Sequence, residues 1–382
     1  MSRPAVVKAL WGAAVLVLVA GCSSGSTEDR PGTAPPTSVS ATTPPSGSAS
    51  AVPSGTASAA GRVAVTGTLT EGLKSPWGLA ELPGGNLLVS SRDERTITRV
   101  DGRTGAKTSL GEVPGVVPGG EGGLMGLAVR DGWVYAYLTA ESDNRIVRMR
   151  YGGGAGDRLG APEPVLTGIP KGVVHNGGRI AFGPDGMLYA GTGETGVTGL
   201  AQDRESLGGK ILRMTPEGRP APGNPSAGSV VYTYGHRNVQ GIAWDAEGRL
   251  WAAEFGQNTW DELNLVESGK NYGWPEVEGR GGRAGFVDPV AQWPTSEASP
   301  SGIAYARGAI WMAGLRGERL WRVPLSGAER SGEPEAFLTE EYGRLRTVLA
   351  GGGGRLWLVT SETDSRGTPG PGDDRILRLE VS

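Results

Sequence analysis

Cysteine occurs once in the 382 residues, at Cys22, and histidine only twice, at His175 and His236. A single thiol excludes an internal disulfide, and two imidazoles leave few soft ligands for a zinc site. An excess of charge of either sign is missing too: 37 Lys and Arg face 40 Asp and Glu, and no basic stripe runs through the chain. Nucleic acid is therefore a poor candidate partner. Long helical periodicities are absent, and no stretch resembles a βαβ unit. There is no G-x-S-x-G elbow. The segment "GTGETG" from Gly191 meets the G-x-G-x-x-G expression, but no helix of a βαβ unit follows, so it is not a dinucleotide fingerprint.

The longest apolar run, "ALWGAAVLVLVAG", follows Arg3 and Lys8 and is too short and too badly flanked for a stable membrane span. Residues 1–21 read as a signal peptide. The run ends in "VAGC", small residues directly before cysteine, as at a bacterial lipoprotein processing site. Cys22 is therefore expected to carry lipid and anchor the protein outside the cytoplasmic membrane. From there to residue 60 the chain is dominated by Ser, Thr, Pro, Gly and Ala, which cannot bury enough apolar surface to order, so it reads as a tether. Residues 61–382 remain for folding.

What is plentiful is glycine, 66 residues, and it recurs in a pattern. Six times a glycine is followed, after one residue, by an aliphatic and then usually an aromatic residue: "GNLLVS", "GWVYAY", "GMLYAG", "GRLWAA", "GAIWMA" and "GRLWLV". A short apolar strand precedes each copy and a third strand follows it. Arginine holds the fourth position of that third strand in five copies, Arg99, Arg148, Arg213, Arg322 and Arg378. Successive copies start about 45–60 residues apart, the spacing of a four-stranded propeller blade. The sequence predicts an all-β, six-bladed β-propeller of four-stranded blades over 61–382. "RVAVTGTL" is placed to complete the last blade and close the ring.

In a propeller the loops entering the first strands, and those joining second to third strands, open on one face. The repeats diverge in those loops. His175, Arg237, Asn238, Arg316, Arg344 and Arg346 are predicted to surround one opening. A cationic rim with one histidine suits an anionic ligand held by guanidinium forks, with the imidazole as general base. An ordinary hydrogen-bonded histidine is the alternative for His175, and for His236 the structural role is favoured. In the fourth copy Leu265 replaces the arginine, and Asp261 and Glu262 precede it. These carboxylates either bind calcium, which takes oxygen ligands, or form a solvated acidic turn. Glu121, Glu194 and Glu254 also leave open paired-carboxylate glycoside cleavage, which does not account for the arginines.

Through "GEGGLMGLAV", "HNGGRIAFGPDGMLY", "GHRNVQGIAW", "DELNLVESGKNYGWP" and "GRLRTV" the chain resembles the glucose/sorbosone dehydrogenase family, which includes soluble quinoprotein glucose dehydrogenases and bacterial aldose sugar dehydrogenases. The resemblance covers the whole propeller region. It implies pyrroloquinoline quinone (PQQ), an anionic tricarboxylate, and calcium as cofactors, an aldose substrate, and a separate electron acceptor. By motif, His175 matches the base that takes the anomeric hydroxyl proton while hydride passes to the quinone. Arg237 and Asn238 match a pair beside the quinone carbonyls, and Arg344 and Arg346 a pair clamping the cofactor carboxylates. Gly256 and Gln257 match the carbonyls that hold the cofactor-linked calcium, with Asp261 beside them and expected to orient the histidine. Glu262 and the main-chain oxygen of Tyr272 match ligands of a second, structural calcium. Glu121 stands where the glucose dehydrogenases carry glutamine, Arg316 replaces a cofactor-contacting lysine, and Val239 replaces a proline. Abbreviated substrate-side loops imply broad aldose specificity. The contrasting expectation is a propeller that binds carbohydrate or protein without catalysis, as animal members of the superfamily do.

Overall fold

The computed structural model describes residues 60–153 and 157–382. The signal peptide, Cys22 and all but the last residue of the expected tether lie outside the described residues. Six antiparallel sheets of four or five strands follow one another along the chain, each a meander that starts from its innermost strand, with one outer strand of the sixth supplied by the N-terminal segment. The inner strands are Pro76–Glu81, Leu124–Arg130, Ile180–Phe182, Val239–Trp244, Pro300–Ala306 and Leu345–Ala350, and each packs beside the next around a ring. Val63–Thr70 pairs with Ile376–Val381 as the outermost strand of the sixth sheet, so the N-terminal segment closes the last blade. The only helical element among the described residues is one 3-10 turn, Thr198–Ala201. The molecule is the expected six-bladed propeller.

The repeat has a packing reason. Buried apolar residues fall into six clusters, one at each blade-to-blade interface. The aromatic position of the motif lies opposite the arginine of the third strand: Tyr135 faces Arg148, Tyr189 faces Arg213, Trp311 faces Arg322 and Trp357 faces Arg378. Cross-strand neighbours at this distance interact directly, and a guanidinium over a ring is favourable. Arg378 lies 5.8 Å from the Trp357 ring centroid. In the fourth blade, where leucine replaces the arginine, the Trp251 indole instead donates to Asp245 at 2.9 Å.

Strand Val63–Thr70 buries Leu69 and half-buries Val63 and Val65 against the sixth blade. A chain beginning at residue 61 is expected to unfold in urea like the full-length protein. One beginning at residue 71 exposes a sheet edge and should lose about 3 kcal/mol or more of stability, with aggregation.

Candidate functional site

The loops converge as the ring geometry requires. A cleft of about 260 Å³ at the mouth of the central channel is lined by Glu121, His175, Arg237, Gly256, Gln257, Asp261, Arg316, Arg344 and Arg346 of the expected residues. These come from five of the six blades and span more than 200 positions of sequence. Arg92, Gln240, Asp364 and Arg366 join them on the wall, with Trp77 among the apolar contributors.

The cationic side is organised by Asp364. Arg344 and Arg346 are two apart at the start of an extended strand, so both project to the same side. Each donates to Asp364 Oδ2, at 3.0 and 2.8 Å. Burial alone would raise this carboxyl, but the guanidiniums of Arg346 and Arg344 hold it down at about 2. Arg346, fully enclosed, is itself pulled down to about 10, chiefly by burial. Below the cleft the channel is plugged by Arg179, stacked 4.4 Å from the Trp77 ring and donating to Gln240 O and Thr347 Oγ1. Burial likewise pulls the Arg237 guanidinium below its ordinary value, and no carboxylate pairs with it directly among the described residues. Among the described residues, Nε of Arg237, Nε of Arg344 and Nδ2 of Asn238 are buried without an acceptor. Buried donors of this kind are costly unless something accepts from them.

His175 is held at three atoms. Its backbone is left-handed at φ 54°, an unfavourable conformation for a residue with a Cβ. Its amide donates to Glu121 Oε2 at 2.8 Å, and its carbonyl accepts from Thr195 N at 3.2 Å. Gly193 is obligatory here, because a Cβ at that position would collide with the His175 carbonyl. The ring Nδ1 bonds the buried Glu194 carboxylate. A carboxylate accepts, so Nδ1 carries a proton, and in a neutral ring Nε2 would hold the lone pair of this cleft-lining residue.

Two expectations need correction. Asp261 does not orient the histidine: its oxygens accept from Gly256 N at 2.9 Å and Ser299 N at 2.6 Å, and Glu194 holds the imidazole instead. Burial pushes the Asp261 carboxyl up to about 7. Asn238 is not on the cleft wall but fully buried behind it, where its Oδ1 accepts from Gly177 N at 2.9 Å and so fixes the turn after His175. His236 is structural: it is buried between Thr233 and Glu254 and stacked on Tyr272.

The loop after Phe255 folds around a carboxylate of another segment. Glu278 Oε1 accepts from the amides of Gln257, Asn258, Thr259 and Trp260 at 2.7–3.1 Å, and these bonds hold its carboxyl below the ordinary value although burial opposes them. In a planar trans peptide the carbonyl points opposite to the following N–H, so the Gly256 and Gln257 oxygens turn away from Glu278. Deeper in the fourth blade, Glu254 and Glu262 share the Asn264 amide at 3.0 Å each, and Asn264 Oδ1 is buried without a donor. Burial and the neighbouring Glu254 carboxylate push Glu262 upward. The Tyr272 hydroxyl donates to Leu265 O at 2.7 Å. Among the described residues, no cluster of three or more His, Cys, Asp or Glu side chains is arranged to hold a metal, so a cation would need main-chain or amide oxygens beside any carboxylate. That donor set fits a hard ion such as calcium.

Glu194 entered the sequence reading only as one of three carboxylates near the mouth. Asp364 and Arg366 lie in "TSETDSRG", whose signal was its place between the second and third strands of the sixth repeat. Glu278 carried no signal, since its role is to gather amides of another loop.

Fold and site together define a propeller whose mouth gathers several guanidiniums beside one imidazole. The chain belongs to the glucose/sorbosone dehydrogenase family, whose model matches residues 73–369. It is similar to a solved structure of the PQQ-bound form of aldose sugar dehydrogenase from Streptomyces coelicolor, with 68% identity and a TM-score of 0.84 over 86% of this chain and 100% of that one. It is 28% identical to aldose sugar dehydrogenase YliI of Escherichia coli over 77% of this chain and 89% of that protein. With quinoprotein glucose dehydrogenase B of Acinetobacter calcoaceticus it shares 31% identity over 56% of this chain, spanning about half (53%) of that protein.

Asp364→Asn leaves two buried guanidiniums without their counter-ion. It should lower stability by about 3 kcal/mol in urea unfolding of the ligand-free protein. Because Asp364 sits at about 2 against an ordinary 3.8, the stability it confers is present above pH 3.8 and is lost as pH falls toward 2. The variant should therefore show a shallower loss of stability across that acid window.

Proposed function

We propose that the protein is a PQQ-dependent aldose sugar dehydrogenase that oxidises sugars at the anomeric carbon to lactones, with calcium as a second cofactor. One observation carries the reading: buried, acceptor-less guanidinium nitrogens of Arg237 and Arg344 share a cleft with an imidazole whose Nε2 is free to act as a base. Such a socket calls for a polyanionic ligand, and a tricarboxylate answers it. Arg344, Arg346 and Arg316 would hold the PQQ carboxylates, and Arg237 would lie by the quinone oxygens. PQQ when bound supplies the two-electron oxidant that accepts hydride from C1.

The chain's own residues do the rest. His175 Nε2 takes the proton of the anomeric hydroxyl, and Glu194 stabilises the imidazolium that results through Nδ1. Arg237, partly desolvated and without a paired carboxylate among the described residues, stabilises negative charge developing on oxygen. Glu121 acts on the base through its backbone, and Asn238 through the turn that follows it. The carbonyls of Gly256 and Gln257 would hold calcium, and Glu262 with the Tyr272 main-chain oxygen would hold a second, structural calcium. Lipidation at Cys22 and a location outside the cytoplasmic membrane remain part of the proposal, with electrons passing to a separate acceptor.

Titrating the protein with PQQ and calcium, then adding an aldose and a redox dye, should give dye reduction that disappears when the quinone is omitted. His175→Ala should lower kcat by about 10³-fold while PQQ still binds, and Glu194→Ala by about 10²-fold with little change in KM. Dye reduction without quinone, or normal turnover by the His175 variant, would contradict the assignment.

A further inference from the structure

We infer that the Glu121–Arg366 ion pair is the charge filter of the sugar site, and that it makes uncharged aldoses the preferred substrates. The inference rests on the dehydrogenase reading above and names the substrate class for that site. Arg366 Nη2 meets Glu121 Oε1 at 2.7 Å, joining loops of the second and sixth blades across the mouth. Both residues line the same cleft as His175. The Arg366 side chain is 60% exposed, so it forms the outer edge, whereas Glu121 is 19% exposed.

The pair is anchored at both ends. Glu121 Oε2 accepts from the His175 amide, which places the carboxylate within one residue of the base. The Arg366 amide donates at 3.0 Å to Oδ1 of Asp364, the residue whose other oxygen gathers Arg344 and Arg346. A sugar that presents its anomeric hydroxyl to His175 Nε2 therefore lies beside a carboxylate held by the base's own amide and a guanidinium paired with it. Hydroxyl groups both donate and accept, so a neutral polyol can satisfy the two together. A sugar bearing an ammonium or a carboxylate meets one like charge and must disrupt the pair to reach the other. Discrimination by a repulsive group of this kind is how specificity is commonly set.

The test compares kcat/KM for glucose, glucosamine and glucuronate by dye reduction, using the PQQ- and calcium-loaded protein in mildly acidic buffer, where the amine is protonated and the uronate ionised. In Arg366→Gln the Glu121 charge is no longer balanced. The glucosamine-to-glucose ratio should rise by about fivefold and the glucuronate-to-glucose ratio should fall by a similar factor, both shrinking at high salt. Arg366→Lys should restore ratios close to wild type. Unmoved ratios, or a change of the same sign for both charged sugars, would overturn the filter while leaving the dehydrogenase intact. A wild-type protein that reduces no dye with glucose would remove the dehydrogenase reading and the filter with it. A PQQ titration of Arg366→Gln that matches wild type shows that the variant is folded and loaded.

Discussion

Arg344 and Arg346 share a single carboxylate oxygen of Asp364 at the centre of the mouth, and most of the site is arranged around that contact. Two guanidiniums two positions apart repel each other, and one carboxylate neutralises only half of their charge. Arg237 adds a further cation with no ion-pair partner among the described residues, and the enclosed Arg179 is drawn down to about 9, first by burial and then by Arg346. The ring supplies the rigidity that keeps these groups from relaxing outward. Inner strands packed beside one another leave little freedom to move, so Arg237, Arg344 and Arg346 stay on the cleft wall. A protein built this way is stabilised by an anion in its mouth, because binding to the folded state alone shifts the unfolding equilibrium.

The histidine obeys the complementary constraint. It occupies a left-handed backbone conformation that costs free energy, and neighbouring groups from separate loops determine it: Glu121 at the amide, Thr195 with Gly193 at the carbonyl, Glu194 at the ring. Strain held in this manner at a reactive residue is consistent with preorganisation, since the imidazole does not have to be ordered when substrate arrives. Asp364 joins the two halves. Through Oδ2 it holds the cationic clamp and through Oδ1 it caps the turn carrying Arg366, which reaches Glu121 and so the amide of the base. Anion socket and base belong to one hydrogen-bonded network.

Much of this was legible in the chain because a propeller writes its period into sequence. The Gly-x-aliphatic-aromatic pattern and the arginine column located the inner three strands of each blade, and the physical link between the two columns is the aromatic–arginine cross-strand pair. The outer strands, such as Lys107–Glu112 and Glu163–Ile169, were not legible, since their mixed exposure leaves no apolar signature. At the rim, cations were readable because they break the repeat. Their partners were harder to see. Glu194 lies on the wrong side of a turn to be linked to His175 by spacing, and Asp261 was a reasonable but incorrect choice, being captured by two nearby amides. Asn238 fell next to the right residue yet faces the core, which spacing along an irregular loop cannot distinguish. Gln240 was missed because its value depends on a channel formed only when six blades meet.

The most direct test of the central claim, that the mouth is a socket for a tricarboxylate quinone, is a crystal structure of the protein grown with PQQ and calcium. The account predicts the cofactor in the cleft, its carboxylates on Arg344 and Arg346, its reactive end near Arg237 and His175 Nε2, and the calcium against the Gly256 and Gln257 carbonyls. A quinone seated elsewhere on the propeller, with Arg344 and Arg346 bonded to protein groups only, would contradict it.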